Sequence, residues 1–256
     1  MKRIVEPEFL DELAPEDPRA IRSRRDLRRV NAWMRNHVMM ADALKIAADA
    51  SFPFGDTKPG GFVNPQAGGL RYRAGDVNGA APKRMIELGA GDGDFLLRVG
   101  QAVAPRWPGL NVTLLDRQNT VAPQTLGSFA GLGWQAEMVV ADVFEWQPKP
   151  ADIIVANLFL HHFDDLRLAE LFRLISEHTQ FFIAIEPHRF AFPWLCGQLL
   201  WLIGCSGVTR HDAVASVAAG FVGREISSLW PKREEWQLTE RRAGLFSHLF
   251  VARRTN

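Results

Sequence analysis

Short apolar runs separated by helical stretches make up most of the chain from residue 83 onward. Five of these runs are rich in β-branched and aliphatic residues and have the length of a buried strand: residues 83–89, 111–116, 136–142, 152–157 and 181–186. Apolar residues recur at helical spacing in residues 95–103 and 164–179. Buried strands that alternate with helices predict a parallel sheet covered by helices on both faces.

The last part of the chain has a different pattern. Two strand-like segments, 236–242 and 245–251, are separated only by Ala243 and Gly244. Two strands this close in sequence can pair only in the antiparallel direction. We therefore predict a terminal hairpin.

The N-terminal residues 7–50 show a helical pattern. Leu27, Val30, Met34 and Val38 follow one another at steps of three and four, which places them on one face of a helix. Arginine occupies six positions on the polar side: 19, 22, 24, 25, 28 and 29. Such a row either binds an anionic substrate or nucleic acid, or is a solvated helix face. The seven acidic residues between positions 6 and 26 favour the solvated face.

Residues 51–82 interrupt both patterns, because eleven of these 32 positions are Gly or Pro. A stretch of this kind predicts a linker, a loop or an active-site lid. We therefore divide the chain into an N-terminal helical cap (1–50), a Gly/Pro-rich loop or lid (51–82) and a main domain (83–256).

The composition excludes several classes of protein. The 256 residues carry 30 basic and 29 acidic side chains, so no net positive charge indicates a nucleic-acid partner. The two cysteines, Cys196 and Cys205, are too few for a disulfide framework or a four-ligand zinc site. Short-chain dehydrogenases use a Tyr-x-x-x-Lys pair, and the single tyrosine, Tyr72, is followed four residues later by Asp76. That class is excluded.

The most apolar stretch, residues 190–208, is interrupted by Pro193, Gln198 and three glycines. A membrane-spanning helix needs about 20 predominantly apolar residues, so this stretch is interpreted as a buried or interfacial segment. The first residues lack the apolar core of a signal peptide. We expect a cytoplasmic protein without integral membrane association.

A glycine-rich turn follows the first strand. It reads Glu87-Leu-Gly89-Ala-Gly91-Asp-Gly93, and alternate glycines let the backbone turn tightly and approach a ligand closely. The dinucleotide fingerprint requires Gly or Ala five residues after the first glycine, where this chain has Asp94. The carboxylates of this turn would repel a pyrophosphate and suit a ligand that carries positive charge.

The ordered set of strand ends resembles the class I S-adenosylmethionine-dependent methyltransferases. Besides the glycine turn, acids close the second and third strands (Asp116 and Asp142), and Asn157-Leu158 closes the fourth. The segment Leu160-His161-His162-Phe163 and the stretch 209–231 resemble the small-molecule and quinone branch, including bacterial enzymes of aromatic polyketide pathways. The resemblance implies a Rossmann-like α/β fold with a seven-stranded sheet, whose last strand is antiparallel, and a substrate-recognition insertion at 188–220.

The resemblance also implies a cofactor, S-adenosylmethionine, and residues that bind it. Gly89, Gly91 and Gly93 would border its methionine part, and Glu87 would reach its ammonium group. Asp116 would accept both ribose hydroxyls. An aspartate after a strand often caps a turn instead, but the joint placement of these acids at strand ends favours a ligand.

The remaining predicted contacts are at the adenine and at the acceptor. Asp142 would accept the adenine amino group, while the backbone N–H of Val143 serves the ring and Arg117 packs beside it. Asn157 and Leu158 would line the passage where cofactor meets acceptor.

A hydroxyl acceptor must lose its proton, and histidine is the usual base near neutral pH. His161 is the first candidate, although it would equally fit as a residue that packs or caps the next helix. His211 beside Asp212 is the second candidate, and Glu186 and His188 follow. No metal site is predicted, because no clear pair of oxygen ligands is present.

The acceptor is expected to be small, hydrophobic and aromatic or quinone-like, with O-methylation favoured over C-methylation. Phe190, Phe192, Trp194, Trp201 and Leu202 could wall its pocket, or belong to the core. Asn157-Leu-Phe-Leu differs from the Pro-Pro motif of base-modifying enzymes, and no nucleic-acid partner is expected. A nicotinamide-dependent oxidoreductase and a non-catalytic binding protein with the same fold stay open as alternatives.

Overall fold

The computed structural model describes residues 2–48, 81–192 and 194–255. Nearly all of the predicted loop or lid 51–82, including Tyr72, therefore lies outside the described residues, as does the side chain of Trp194.

Seven strands form one sheet. They are β1 (Arg84–Leu88), β2 (Asn111–Asp116), β3 (Gln135–Val140), β4 (Ala151–Asn157), β5 (Thr179–Pro187), β6 (Trp236–Ala243) and β7 (Ser247–Arg254). Their order is β3-β2-β1-β4-β5-β7-β6, and β7 is antiparallel to both of its neighbours. The seven-stranded Rossmann-like sheet and the terminal hairpin predicted from the sequence are thus confirmed.

Helices connect the strands and precede them. They are α1 (Phe9–Glu12), α2 (Pro18–Met34), α3 (Asn36–Ala48), α4 (Asp94–Val103), α5 (Pro123–Gly131), α6 (Asp165–His178), α7 (Trp194–Leu202), α8 (Gly207–Ala219) and α9 (Glu225–Leu229). The predicted helical segment 7–50 is therefore three helices in succession. The second ends at Arg35, whose left-handed φ of 57° starts the turn into the third.

The alternation of side chains along the strands builds a hydrophobic core on each face of the sheet. On β1, Met85 packs into the core shared with α3, α4 and α5, whereas Ile86 packs into the core shared with α6 and α9. Met40 and Leu44 of α3 are fully buried in the first of these cores. The N-terminal helices are thus packed against the sheet by apolar contacts.

Among the described residues, no helix combines the length and the apolar character needed to cross a membrane.

Candidate active site

A cavity of about 860 Å³ lies where the carboxyl ends of β1, β2 and β4 face the N-terminal helices α1 and α2. The strand order reverses between β1 and β4, and ligands of open parallel sheets bind at such a reversal. The volume falls in the range of small-molecule sites, about 300–1,000 Å³.

The glycine turn after β1 forms one wall of the cavity. Gly89, Gly91 and Gly93 have φ values of 66°, 55° and 75°, which residues with a side chain rarely adopt. At Gly89 there is also no room, because a Cβ atom would lie 2.3 Å from the ring of Phe159. A side chain at this position would therefore force the ring of Phe159 to move.

Glu87 lies at the end of β1 beneath the glycine turn and is 2% exposed. Its Oε2 atom is buried and has no hydrogen-bond partner among the described residues. Burial, together with the nearby carboxylates of Asp92 and Asp116, raises the pKa of Glu87 well above its ordinary value. A buried carboxyl group without a partner, beside two further acids, favours a cationic ligand.

The two acids at the next strand ends also line the cavity, and each accepts hydrogen bonds from the backbone nearby. Asp116 accepts hydrogen bonds from the backbone N–H of Gly91 (2.8 Å) and of Gln118 (2.9 Å). Asp142 accepts one from Phe144 at 2.9 Å. Their positions therefore satisfy the turn-capping interpretation as well as the ligand-binding one.

Arg117 and Val143 line the cavity beside these acids. The Arg117 side chain is largely exposed, with Nε 3.9 Å from Asp142. Val143 is buried in the core beneath the sheet edge.

Asn157 and Leu158 lie at the end of β4, on the cavity wall. The side chain of Asn157 accepts a hydrogen bond from Asn36 of α3 at 3.0 Å, and Asn36 is in turn bonded to Ser247 at 2.8 Å. Leu158 has a φ of 53°, an uncommon backbone conformation for a residue with a side chain. Backbone strain of this kind is found preferentially at functional sites.

His161 is 3% exposed and is held between two carboxylates. Its Nδ1 lies 2.8 Å from Oε2 of Glu186, and its Nε2 lies 3.3 Å from Oε1 of Glu8. Burial alone would lower the pKa of His161, but the bonds to Glu186 and Glu8 outweigh it and raise the pKa to about 9. The imidazole is therefore protonated at neutral pH in this arrangement.

Glu186, at the end of β5, fixes this region through its backbone as well. Its Oε1 accepts hydrogen bonds from the N–H groups of Phe159 (3.0 Å) and Leu160 (2.9 Å). The carboxylate is fully buried. It therefore holds both the turn after β4 and the ring of His161.

Glu8 belongs to a segment that crosses the mouth of the cavity, residues 3–12, which we call the N-terminal strap. Asp212 of α8 accepts hydrogen bonds from the backbone of Phe9 (2.9 Å) and Leu10 (3.1 Å), and Ser216 donates one to Glu8. Burial would raise the pKa of Glu8, but the bond to His161 outweighs it and lowers the pKa to about 2. Helix α8 thus holds the strap so that Glu8 reaches His161.

The second histidine predicted to be catalytic lies elsewhere. His211 stacks on Phe9 with ring centroids 3.8 Å apart, and its Nδ1 is 3.2 Å from Asp212. It does not line the cavity. The adjacent residue, Asp212, instead accepts the two backbone hydrogen bonds that hold the N-terminal strap.

Glu8, His161 and His162 bring three ligand-type atoms within 4.8 Å of one another, which is close enough to hold a metal ion. The imidazolium of His161 already pairs with the carboxylate of Glu8 inside this cluster, and Glu186 adds a second carboxylate at its Nδ1.

The apolar pocket expected from residues 190–202 is not where the sequence suggested. Phe190, Phe192, Trp201 and Leu202 do not line the cavity, and among the described residues of 188–220 only Ser216 does. The apolar wall comes from elsewhere in the chain: Leu10, Leu27, Phe95, Phe159 and Phe163. Glu8 and Leu10 were not predicted from the sequence, because their partners, His161 and Asp212, lie more than 150 positions away in the chain.

No protein-family model matches this chain. A curated protein, the mitomycin biosynthesis 6-O-methyltransferase of Streptomyces lavendulae, is 31% identical over 117 residues, which are 45% of this chain and 32% of that protein. The match thus spans about a third of the relative's length.

Two solved structures are similar to this chain at low identity. The pyocyanin biosynthetic protein PhzM is 19% identical, with a TM-score of 0.48 over 68% of this chain and 51% of that one. An O-methyltransferase family protein from Burkholderia thailandensis is 17% identical, with a TM-score of 0.48 over 68% and 51%.

Proposed function

We propose that this chain is an S-adenosylmethionine-dependent methyltransferase that methylates an oxygen of a small, hydrophobic, aromatic or quinone-like acceptor. The observation that carries the proposal is the buried Oε2 atom of Glu87 at the end of β1, which has no hydrogen-bond partner among the described residues. The similarity to an O-methyltransferase from Streptomyces lavendulae supports it.

The residues present suit this cofactor. S-adenosylmethionine supplies a methyl group on a positively charged sulfonium, and it also carries an ammonium group. Burial raises the pKa of Glu87, so this carboxyl group gains its negative charge most readily against a bound cation. It lies beside the glycine turn, where Gly91 leaves the backbone open and Asp92 pairs with Arg28 at 2.6 Å. Once ionised, Glu87 disfavours a nicotinamide cofactor, because it would repel the pyrophosphate.

Four further residues are proposed to hold the adenosine part. Asp116 would bind the ribose hydroxyls while its oxygens keep the glycine turn in place. Asp142 and the backbone of Val143 would bind the adenine ring, with Arg117 beside it. Asp116 and Asp142 are already held by backbone hydrogen bonds before the ligand arrives, which lowers the entropic cost of binding.

The acceptor is proposed to lie between Asn157-Leu158 and the N-terminal strap. The apolar wall of Leu27, Phe95 and Phe163 would hold a flat, hydrophobic molecule. Asn157, fixed by Asn36, would orient it. Alignment of two reactants can contribute an effective molarity of about 10⁵ M or more, so positioning is the main contribution of these residues.

His161 is the proposed catalytic residue, in preference to His211, because it lies on the cavity wall and Glu186 orients its ring. With Glu8 in contact, Nε2 already holds a proton and cannot act as a base. An acceptor hydroxyl that displaces Glu8 removes one negative charge from the ring and lowers its pKa. Once Nε2 has released its own proton to solvent, neutral His161 can take the proton of the hydroxyl as the oxygen attacks.

The test is methyl transfer from methyl-labelled S-adenosylmethionine to a panel of phenols, hydroquinones and hydroxyquinones. We expect labelled product with at least one acceptor, and a loss of turnover in His161→Ala with cofactor affinity retained. His178→Ala, at the end of α6 directly before β5 and outside the cavity lining, is the matched control. Cofactor binding without turnover over the whole panel would favour the non-catalytic binding protein, and full activity of His161→Ala would remove His161 as the base.

A further inference from the structure

Two features of the sequence are not explained by the cavity. One is the arginine-rich face of α2, and the other is the stretch 190–207, which contains no charged residue. The proposed methyl transfer uses neither the outer face of α2 nor any side chain of α7.

Helix α7 and the residue after it expose most of their large apolar side chains. Leu202 is 70% exposed, Trp201 59% and Ile203 49%, and Leu195 and Leu199 are also exposed. Only Leu200 of these neighbours is buried against the protein. A helix that is apolar on all sides is normally buried or lies in a membrane, so this exposure indicates a binding surface.

The outer face of α2 is positively charged. Arg22, Arg25 and Arg29 are exposed at a spacing of three and four residues, which places them in one row. The acid of this helix, Asp26, is 4% exposed and pairs from the inner side with Arg29 at 3.6 Å, whereas Arg22 and Arg25 face no acid of the helix. Trp33, 65% exposed, continues the row at its C-terminal end.

The two features belong to one surface. The guanidinium of Arg29 donates a hydrogen bond to the backbone carbonyl of Ile203 at 3.2 Å. On the inner side, Asp26 accepts one from the backbone of Ser206 at 2.8 Å. The row of arginines therefore lies directly beside the exposed apolar residues of 195–203.

We propose that this surface, which we call the α2–α7 face, docks the protein peripherally on a bilayer that contains anionic lipids. Arginines beside exposed Trp and Leu side chains are the combination that favours the interface of an anionic membrane, where rings and aliphatic chains enter the headgroup region and the cations meet lipid phosphates. A second copy bound through the same face would bring two arginine rows together, which disfavours self-association.

The α2–α7 face also has a suitable place relative to the cavity. The opposite side of α2 contributes Leu27 and Asn31 to the cavity wall. A protein docked in this way would hold its cavity next to the lipid surface, where hydrophobic acceptors concentrate. Membrane docking itself does not depend on the proposed methyl transfer.

The test is co-sedimentation of the full chain with phosphatidylcholine vesicles, with and without phosphatidylglycerol, in the absence of cofactor and acceptor. We expect binding to the anionic vesicles that weakens as salt is raised. The double variant Arg22→Gln/Arg25→Gln should lose about twenty-fivefold in affinity, at about fivefold per arginine. Trp201→Ser/Leu202→Ser should lose at least about tenfold.

Matched controls use exposed residues of another helix. Arg173→Gln and Leu166→Ser, both on α6, should bind vesicles like the unaltered protein. Equal binding by all variants, or no binding to anionic vesicles, would overturn the proposal. So would a dimer in analytical ultracentrifugation that Trp201→Ser/Leu202→Ser converts to a monomer, because the face would then be occupied by a second copy. None of these measurements requires an assay of methyl transfer, so the two proposals are tested independently.

Discussion

The Nε2 atom of His161 lies 3.3 Å from a carboxylate oxygen of Glu8, a residue 153 positions earlier in the chain. Since Nδ1 is bonded to Glu186, both ring nitrogens are occupied. An acceptor can therefore form a hydrogen bond with Nε2 only after Glu8 has moved away from it. The position of the N-terminal strap thus controls the state of the proposed catalytic residue.

Removing the negative charge of Glu8 should lower the pKa of His161. Glu8→Gln leaves a side chain of the same size but only Glu186 as a counter-charge, so the pKa should fall from about 9 towards its ordinary value. NMR titration of the histidine ring nitrogens measures this. Asp11→Asn, which changes the partner of His162 instead, is the control and should move the His161 titration far less. An unchanged His161 pKa in Glu8→Gln would show that the two side chains do not interact.

Stability should decrease on the alkaline side of neutrality. The pKa of His161 is raised by folding from 6.5 to about 9, so its contribution is complete below pH 6.5 and is lost as the pH rises to about 9. At 1.36 kcal/mol per pKa unit, the free energy of unfolding should fall by on the order of 3 kcal/mol from this group. Urea unfolding at several pH values measures it, and His161→Asn should lack this part of the slope. An equal slope in both proteins would contradict the assignment.

The N-terminal strap should loosen when its anchor is changed. Asp212→Asn keeps one acceptor oxygen for the two backbone N–H groups of Phe9 and Leu10. We expect faster proteolytic cleavage within residues 3–12, with the rest of the chain intact. Asp165→Asn, which removes only an exposed ion pair with Arg3, should have little effect. Equal cleavage rates in the two variants would show that Asp212 does not hold the strap.

The sequence predicted the parts of the site that depend on local pattern. The glycine turn, Asp116, Asp142 and Asn157 each follow directly from a strand, and parallel strands bring their ends to one edge of the sheet. Strand positions were predicted within two to three residues, because buried apolar runs fix them. The role of each of these residues in binding stays a prediction.

The contacts between distant segments could not be predicted in this way. No local signal links Glu8 to His161, or Asn36 to Asn157 and Ser247. These pairs depend on how the N-terminal helices pack on the sheet. Asp212 illustrates the same limit. Its position beside His211 suggested a catalytic pair, whereas in the structure Asp212 also accepts a hydrogen bond from the strap.

Two of the three glycines of the turn, Gly89 and Gly91, should differ in their tolerance of alanine. Both have a positive φ, which costs a residue with a side chain about 1–2 kcal/mol. Only at Gly89 would the new Cβ atom also collide with Phe159, whereas nothing lies within 4 Å at Gly91. Gly89→Ala should therefore lower the free energy of unfolding by about 1–3 kcal/mol more than Gly91→Ala. Equal losses in chemical denaturation would contradict this geometry.

Glu87→Gln should change stability and cofactor affinity in opposite directions. The substitution removes a buried group whose ionised form has no partner, so the free protein should become more stable. Affinity for S-adenosylmethionine should fall by about ten- to a hundredfold, because a charge-assisted bond is lost. Thermal unfolding and calorimetry measure the two effects, with the exposed Glu170→Gln as control. A fall in both quantities would indicate a purely structural role for Glu87.

The most direct test of the account is calorimetric titration of the purified chain with S-adenosylmethionine and, separately, with NAD. We predict binding of S-adenosylmethionine, its loss in Asp116→Ala, and affinity that rises with pH as Glu87 ionises. Binding of NAD without binding of S-adenosylmethionine, or equal affinity of Asp116→Ala and the unaltered protein, would contradict the proposed cofactor site.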